Sequence, residues 1–580
     1  MNHLTEPDLP SPGQIVGREY LRSQTLEQRR VSGRVYTPPH LVDFLLEQAG
    51  YEPSRTLEDW PLLDPACGAG VFLERAVVLL HSRFRVRGRN TANAETYSHF
   101  LSVIERNLWG IDADARCRTL ACEAVRATVE ALTGRRPPEP FFRDNVLTAD
   151  FLLDPSVERF APVRGKRLAF LVGNPPYVAV TRIERTYRER LRSRFEAAQG
   201  RLDLYTVFME RALAISPPAA RIAFVTPDKF LTSYSARGLR SYILRTSAVR
   251  TIALFKSDKV FREAAIVPSV TVLERDGAKT PVRVLMCRDR PESGRVTATE
   301  ARTIQHSSLD DAPWNLLSSE AASLVKRLRS GHRTLEDVAL RISAGPATGR
   351  DRIFVFPRDD HPEIEPELLR PAVRGRDISA YYITDPQLTV LIPYLFGPLG
   401  APDLIPLKRF PGAARYLDRH RSELSGRHCV RVWGKSWYDL HDSPSIDLAS
   451  QPKILVPDVA ISNRFAIDRG AYFPLHSTYY ILPKPGIDLD YLVAVLNSSV
   501  AAFLIKAQAP VVKDGFNRYR QQFTMSLPVP SAPADLRRSI VRSARHEDGA
   551  TVNSLVKELF GLSRKDGVIV DGNPRLDSRT

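Results

Sequence analysis

The sequence predicts a doubly wound α/β domain followed by a second, mixed α+β domain. Three observations carry this. From Leu62 to Phe255, short apolar strands alternate with helical segments, the pattern of a mostly parallel sheet covered on both faces. Two loops with special turn chemistry sit directly after predicted strands: the Gly-rich Asp64-Pro65-Ala66-Cys67-Gly68-Ala69-Gly70 and, further on, Asn174-Pro175-Pro176-Tyr177. At 580 residues the chain also exceeds one ordinary core.

Residues 1–32 read as a polar leader, Pro-rich at first and helical over Glu19–Arg30. Gly33-Arg34-Val35-Tyr36-Thr37-Pro38-Pro39 breaks that pattern, and His40–Gln48 follows as an amphipathic helix with Leu41, Phe44 and Leu45 on one face. Strands are expected at Leu62–Asp64, Leu108–Asp112, Phe141–Thr148, Leu168–Val172 and Arg221–Pro227, with Thr251–Phe255 and Ser269–Glu274 closing the sheet. Helices are expected at Val71–Leu80 and Leu204–Ile215. This assigns residues 33–276 to the first domain. Residues 277–334, interrupted by Gly and Pro, read as a connector with a helix over Glu320–Arg329. Residues 335–530, richer in aromatics, Arg and short β segments such as Lys453–Pro457, form the second domain; 531–580 is a tail with one helical stretch, Val552–Leu559, and a polar end.

Apolar residues make up 43% and charged residues 26%, the balance of a globular protein rather than a disordered one. Lys and Arg number 82 against 66 Asp and Glu, a net charge of +16, supplied mostly by Arg, which suits bidentate phosphate contacts. Nucleic acid is therefore the leading partner. The five cysteines include no Cys-x-x-Cys pair and no zinc spacing, so neither disulfides nor a metal site are expected. The first residues lack the basic and then apolar segments of a secretory signal, and no apolar run has membrane length. A cytoplasmic protein without a membrane partner is expected.

In a doubly wound sheet, ligands bind at the carboxyl ends of the strands where strand order reverses. Gly68 and Gly70 let the backbone turn sharply there. An Asp opening the turn disfavours a phosphate and favours a cation or hydroxyls. Asp112 ends the second strand and is placed to accept from ribose hydroxyls; Asp150 and Phe151 would supply an acceptor for an adenine amino group and an apolar wall, with Asp144 an alternative in the same region. A nucleoside with a cationic, amino-acid-like arm fits this set, and S-adenosylmethionine is that molecule. Asn174-Pro175-Pro176-Tyr177 forms a rigid turn that presents an amide and an aromatic face, a grip for a planar amine.

These segments, in this order and joined by Asp203-Leu204-Tyr205, Val225-Thr226-Pro227 and Val260-Phe261, resemble the gamma-class amino-methyltransferases, most of all the TaqI-type DNA adenine N6-methyltransferases of restriction-modification systems. The resemblance implies that Thr37, Asp64, Ala66 and Gly68 surround the methionine end of S-adenosylmethionine, that Asp112 holds its ribose, and that Asp150 and Phe151 meet its adenine. It implies that the Asn174 side-chain carbonyl and the Pro175 backbone carbonyl accept the two N–H groups of the target amine, while Tyr177 and Phe261 stack on either side of a flipped base. The stretch from Phe151 to Asn174 is longer than the family's usual spacing.

The second domain more faintly resembles the family's target-recognition domain. Arg374 and Arg376, beside Tyr381 and Tyr382, and Trp433 and Lys435, beside Trp437 and Tyr438, have the composition of phosphate and base contacts. Double-stranded DNA is the expected partner, any restriction endonuclease a separate chain, and the protein a monomer or weak oligomer. Two rival readings stand beside this one: methylation of an RNA exocyclic amine or a protein glutamine, and a catalytically silent DNA-specificity subunit.

Overall fold

The computed structural model describes residues 35–572 apart from 166, 180–181, 200–202, 256–266, 291–294, 315, 398–401 and 510–515. The expected leader, residues 1–32 with its helix, lies outside the described residues. The chain divides into two compact units between Ser318 and Ser319.

The first unit is built on nine strands: β1 Leu62–Asp64, β2 Leu108–Asp112, β3 Val146–Thr148, β4 Phe170–Gly173, β5 Arg221–Pro227, β6 Ser247–Phe255, β7 Pro268–Arg275, β8 Val282–Arg290 and β9 Arg295–Ile304. Their order is β3-β2-β1-β4-β5-β7-β6-β8-β9. Strands β3, β2, β1, β4 and β5 run parallel, whereas β7 is antiparallel to both its neighbours. From β1 the chain winds outward through β2 and β3, then crosses back to β4 and winds the other way. The crevice between β1 and β4 is therefore the switch point at which such sheets bind ligands.

Among the described residues, seven helices of ten or more residues flank this sheet: α1 Pro39–Ala49, α2 Val71–Val86, α3 Ala94–Asn107, α4 Ala115–Thr133, α5 Arg185–Arg194, α6 Leu204–Ile215 and α7 Arg237–Thr246. Strand residues alternate between two cores. Phe170 and Val172 of β4 join one with Phe44, Phe72 and Phe84, and Leu171 joins the other with Phe151, Phe208 and Phe230. The period of two puts successive side chains on opposite faces, so both faces are covered, as a parallel sheet requires. α1 ends where Gly50 adopts φ +83°, a left-handed cap open to a residue without Cβ.

The structure corrects the domain boundaries in two places. The sheet does not stop at residue 276: β8 pairs with β6, and β9 with β8. β9 is an edge strand exposed along most of its length, and its polar sequence carries no apolar alternation that would reveal it. The expected connector thus splits, because the helix Ser319–Arg329 belongs to the second unit, where Arg327 pairs with Asp566. The third strand is also shorter than expected. Phe141 and Phe142 precede it and pack into the first core.

The second unit carries two four-stranded sheets, one of Ala339–Ala344, Thr478–Pro483, Lys453–Pro457 and Ala466–Asp468 in that order. Lys453 and Asp468 pair at 2.5 Å with both side chains essentially sealed from solvent. Asp468 also accepts from the backbone N–H groups of Gly470, Ala471 and Tyr472, which satisfies the buried carboxylate. The described part of the segment from 531 holds three helices rather than one: Ala534–Arg545, Gly549–Leu559 and Arg564–Asp571. The first of these escaped the sequence because it buries only Ile540 and Ala544 and is otherwise Arg-rich, pairing Arg537 with Asp488 and Arg545 with Asp490.

No single helix among the described residues is long and apolar enough to cross a membrane. The bent pair Leu489–Asn497 and Ser499–Gln508 passes by length and composition, and its apolar residues are buried within the second unit.

Candidate active site

The carboxyl ends of β1 and β4 meet at the switch point. A Cβ added at Gly173, the last residue of β4, would lie 2.6 Å from Asp64 Oδ1, so only glycine lets the two loops approach this closely. Above them opens a cavity of about 470 Å³, within the range of small-molecule sites. Thr37, Asp64, Ala66, Gly68, Asp112, Asp150, Phe151 and Asn174, eight residues singled out from the sequence, all line it.

Asp64 is buried, and the backbone N–H of Ala66 donates to its Oδ1 at 3.0 Å. Burial, with the neighbouring Asp112 adding to it, raises its carboxyl from 3.8 to about 8. A cation in the cavity would restore the ionised form. Gly68, at φ +53°, has nothing within 4 Å of where a Cβ would stand, so a side chain there would project into open space. Gly70, at φ +88°, approaches the helix α4, and its Cβ would come 2.9 Å from Ala121 Cα. The Asp112 carboxylate accepts from Gly68 N at 3.0 Å and Asp114 N at 2.9 Å, tying the turn after β1 to the end of β2.

Asp150 and Phe151 close one side. Phe151 stacks on Phe208 of α6, with centroids 5.2 Å apart and planes at 29°. The hydroxyl of Tyr187, on α5, lies 3.1 and 3.0 Å from the two oxygens of Asp150. Asp144 is fully exposed and pairs with Arg118 at 3.5 Å; of the two carboxylates considered from the sequence, Asp150 is the one in the cavity. Tyr187, Leu204 and Phe208 also line the cavity and were not identified as site residues. Leu204 and Phe208 carried a legible signal, as i and i+4 of the helix that follows Asp203. Tyr187 carried none.

At the other side Asn174 donates from Nδ2 to Thr37 Oγ1 at 2.9 Å and to the Val35 carbonyl at 3.4 Å. The opposite end of the same amide, Oδ1, is buried and has no hydrogen-bond partner. An amide held by its nitrogen and left with a desolvated acceptor is prepared for an N–H donor, because leaving that oxygen unmatched costs about 1–3 kcal/mol. Pro175 is buried beside it. Tyr177 stands beside this cavity rather than in its lining: its hydroxyl donates to the Val225 carbonyl at 3.1 Å, its ring meets Tyr205 edge to face at 6.2 Å, and it packs against both cores. Phe261 lies outside the described residues.

In the second unit Arg376 is 72% exposed, with Asp377 at 3.8 Å, while Arg374 is partly buried and its backbone N–H donates to the Asp377 carboxylate at 2.8 Å. Trp433 is 53% exposed. Lys435 departs from the expected phosphate contact: its ammonium donates to the Leu440 and His441 carbonyls and to Ser443 Oγ, at 3.1, 2.9 and 2.8 Å. All three donors are taken by its own loop. Among the described residues no group of three or more His, Cys, Asp or Glu could hold a metal ion.

Comparison with known proteins places this geometry. The Eco57I restriction-modification methylase family model matches residues 158–261, and that of the TaqI-like C-terminal specificity domain matches 370–529. The Type II methyltransferase M.PaeR7I of Pseudomonas aeruginosa is 27% identical, with 93% of this chain and 94% of that protein covered. The Type II methyltransferase M.BstVI of Geobacillus stearothermophilus is 28% identical, with 94% and 99% covered. Among solved structures, the Type IIL restriction-modification enzyme MmeI in complex with DNA superposes with a TM-score of 0.70 at 14% identity, over 97% of this chain and 81% of that one, a likeness of fold. A methylase model on the first unit and a specificity model on the second, in one chain collinear with two Type II methyltransferases, support a DNA methyltransferase of a restriction-modification system.

Proposed function

We propose that the protein transfers the methyl group of S-adenosylmethionine to N6 of an adenine flipped out of double-stranded DNA. The observation that carries this reading is the desolvated, unpartnered Oδ1 of Asn174, whose orientation Thr37 fixes. Adenine N6 is a poor nucleophile because its lone pair is delocalised into the ring. Accepting its N–H bonds at Asn174 Oδ1 and the Pro175 carbonyl draws the nitrogen toward tetrahedral geometry. The Tyr177 and Phe261 rings belong to the same proposal as walls for the base; anchoring of Tyr177 to Val225 makes it a fixed wall rather than a mobile lid.

The residues around the cavity fit the cofactor. Asp64 offers a carboxyl that a cation would ionise, Gly68 leaves room for the methionine end beside Thr37 and Ala66, Asp112 faces the ribose, and Asp150 with Phe151 meets the adenine edge and face. When bound, S-adenosylmethionine supplies an electrophilic methyl group on a sulfonium. The protein's part is to hold the amine in line with it and to exclude water.

In the second unit, Arg374 and Arg376 serve the phosphates of the duplex in this reading, and a companion endonuclease on another chain completes a cytoplasmic restriction-modification pair. Single-molecule sequencing of DNA from a methylation-free host expressing the chain tests the proposal. N6-methyladenine at one sequence motif is the expected result; unmodified DNA with active protein would overturn it in favour of an RNA or protein amide substrate.

A further inference from the structure

We propose that Trp433, with the adjacent Val432, is a rigid wedge that packs against the bases of double-stranded DNA, an inference that rests on the functional reading above. Both side chains follow the short helix His428–Arg431 and stand in solvent, 53% and 64% exposed. Single exposed apolar residues are ordinary on protein surfaces. Here two are adjacent, one of them is a Trp, and the loop beneath them is unusually well fixed.

Two cations lock it from inside. Arg427 is only 3% exposed, and its guanidinium donates to the carbonyls of Leu424, Thr348, Trp437 and Asp439 at 3.1, 2.9, 2.8 and 2.7 Å. Lys435 gives all three of its donors to the far side of the same loop. Between them the Trp433 ring is flanked by His428 at 5.3 Å and His441 at 4.9 Å. An aromatic held this way loses little conformational entropy on binding, which is what gives a contact residue its affinity.

Charge selects the partner. Residues 419–435 contain four Arg and one Lys against one Glu. Arg427 and Lys435 serve the loop itself and Arg421 pairs with Asp418 and lies over the Trp437 ring, whereas Arg419 and Arg431 are exposed. An apolar tip on a loop that also carries the exposed Arg419 and Arg431 suits a polyanion whose interior is apolar and stacked, and the loop lies inside the segment that matches the specificity-domain model. Because an indole stacks on any base, the wedge sets the geometry of the duplex rather than its letter.

Fluorescence anisotropy of the full chain on a labelled duplex carrying the sequence it modifies, between 50 and 200 mM salt, tests this. Removing the indole in Trp433→Ala should weaken binding by about 5- to 100-fold at every salt concentration, as loss of one stacked base does. The slope of log affinity against log salt should stay unchanged, because no phosphate contact is lost, whereas Arg376→Gln should flatten it by about one. Trp433→Phe, which keeps a ring, should recover part of the loss. Unchanged affinity in Trp433→Ala while the wild type binds and methylates would sink the wedge alone; a loss accompanied by a flatter slope would also overturn it. An equal loss on duplex RNA would assign the wrong partner. A wild-type chain that binds no duplex at any salt overturns both the wedge and the functional reading.

Discussion

If the buried Asp64 meets the cofactor as proposed, cofactor affinity should depend on pH. Its carboxyl, raised to about 8, is mostly protonated at neutral pH in the ligand-free protein. If the cationic arm of the cofactor restores an ordinary carboxylate, binding must expel that proton, at a cost of about 1.4 kcal/mol for each pH unit below 8. Affinity should then rise by about 50-fold from pH 6 to pH 8 and level off above it. Isothermal titration calorimetry in buffers of different ionisation enthalpy should find close to one proton released per cofactor at pH 7. Asp64→Asn keeps the shape but has no proton to lose, so its profile retains only the cofactor amine's own titration. A wild-type profile that superimposes on that of Asp64→Asn, with no proton release, would refute the argument.

The same group sets a sign for stability. A carboxyl raised in the folded state retains its proton where the unfolded chain has lost it, so its contribution is fully present below pH 3.8 and is lost as pH rises toward 8. The ligand-free protein should therefore lose stability from this group across that window, and Asp64→Asn should remove the dependence. This is opposite to the behaviour of a salt-bridged Asp.

Other expectations follow from the geometry. Asn174→Ala should reduce methyl transfer, read by tritiated methyl incorporation, by at least about 100-fold, as loss of a pre-organised polar contact does, while calorimetry finds cofactor affinity within about threefold; full activity would refute the amine grip. Thr37→Val leaves the Asn174 amide held only by its longer bond to the Val35 carbonyl and should lower kcat by about 10-fold with the melting temperature little changed. Gly173→Ala drives a methyl into Asp64 Oδ1, so it should cost both cofactor affinity and thermal stability, and a variant indistinguishable from wild type in both would contradict the close approach. Lys453→Met leaves Asp468 buried without its cation and should destabilise the second unit by about 3–5 kcal/mol in urea denaturation, whereas replacing both partners with apolar residues should recover much of that.

Elements whose apolar pattern is local were legible in the sequence. Leu204–Ile215 and Arg221–Pro227 fall at their expected bounds because helical or strand periodicity is written in their own residues. α3 and α4 also carried signals, the N-caps Asn93 and Asp114 and the left-handed Gly134 after α4, which the sequence reading did not use. β9 and α5 carried none. β9 is a polar edge held by its pairing to β8, and α5 is an Arg-rich helix that buries Leu191 alone in its core. Lys435 shows the limit from another side, since a Lys beside a Trp looks like a phosphate contact until the carbonyls of Leu440 and His441 are seen to fold back over it.

The site was more legible than the fold around it, for a physical reason. A switch point brings together the loops that end β1 and β4, and each loop declares its chemistry by residue type: an Asp with two glycines in one, an Asn before two prolines in the other. What sequence could not supply is their separation. The structure sets Gly173 against Asp64, and Asn174 is one peptide further on. The carboxyl that would meet the cofactor's cation and the amide that would meet the acceptor amine are thus held by adjoining strands of one rigid sheet. In-line transfer depends on that distance being fixed before either ligand arrives, and the paired register of β1 with β4, Leu62 to Phe170 and Leu63 to Leu171, fixes it. Tyr187, reaching Asp150 from α5, has no such backbone constraint, which is why it could be found only in the folded chain.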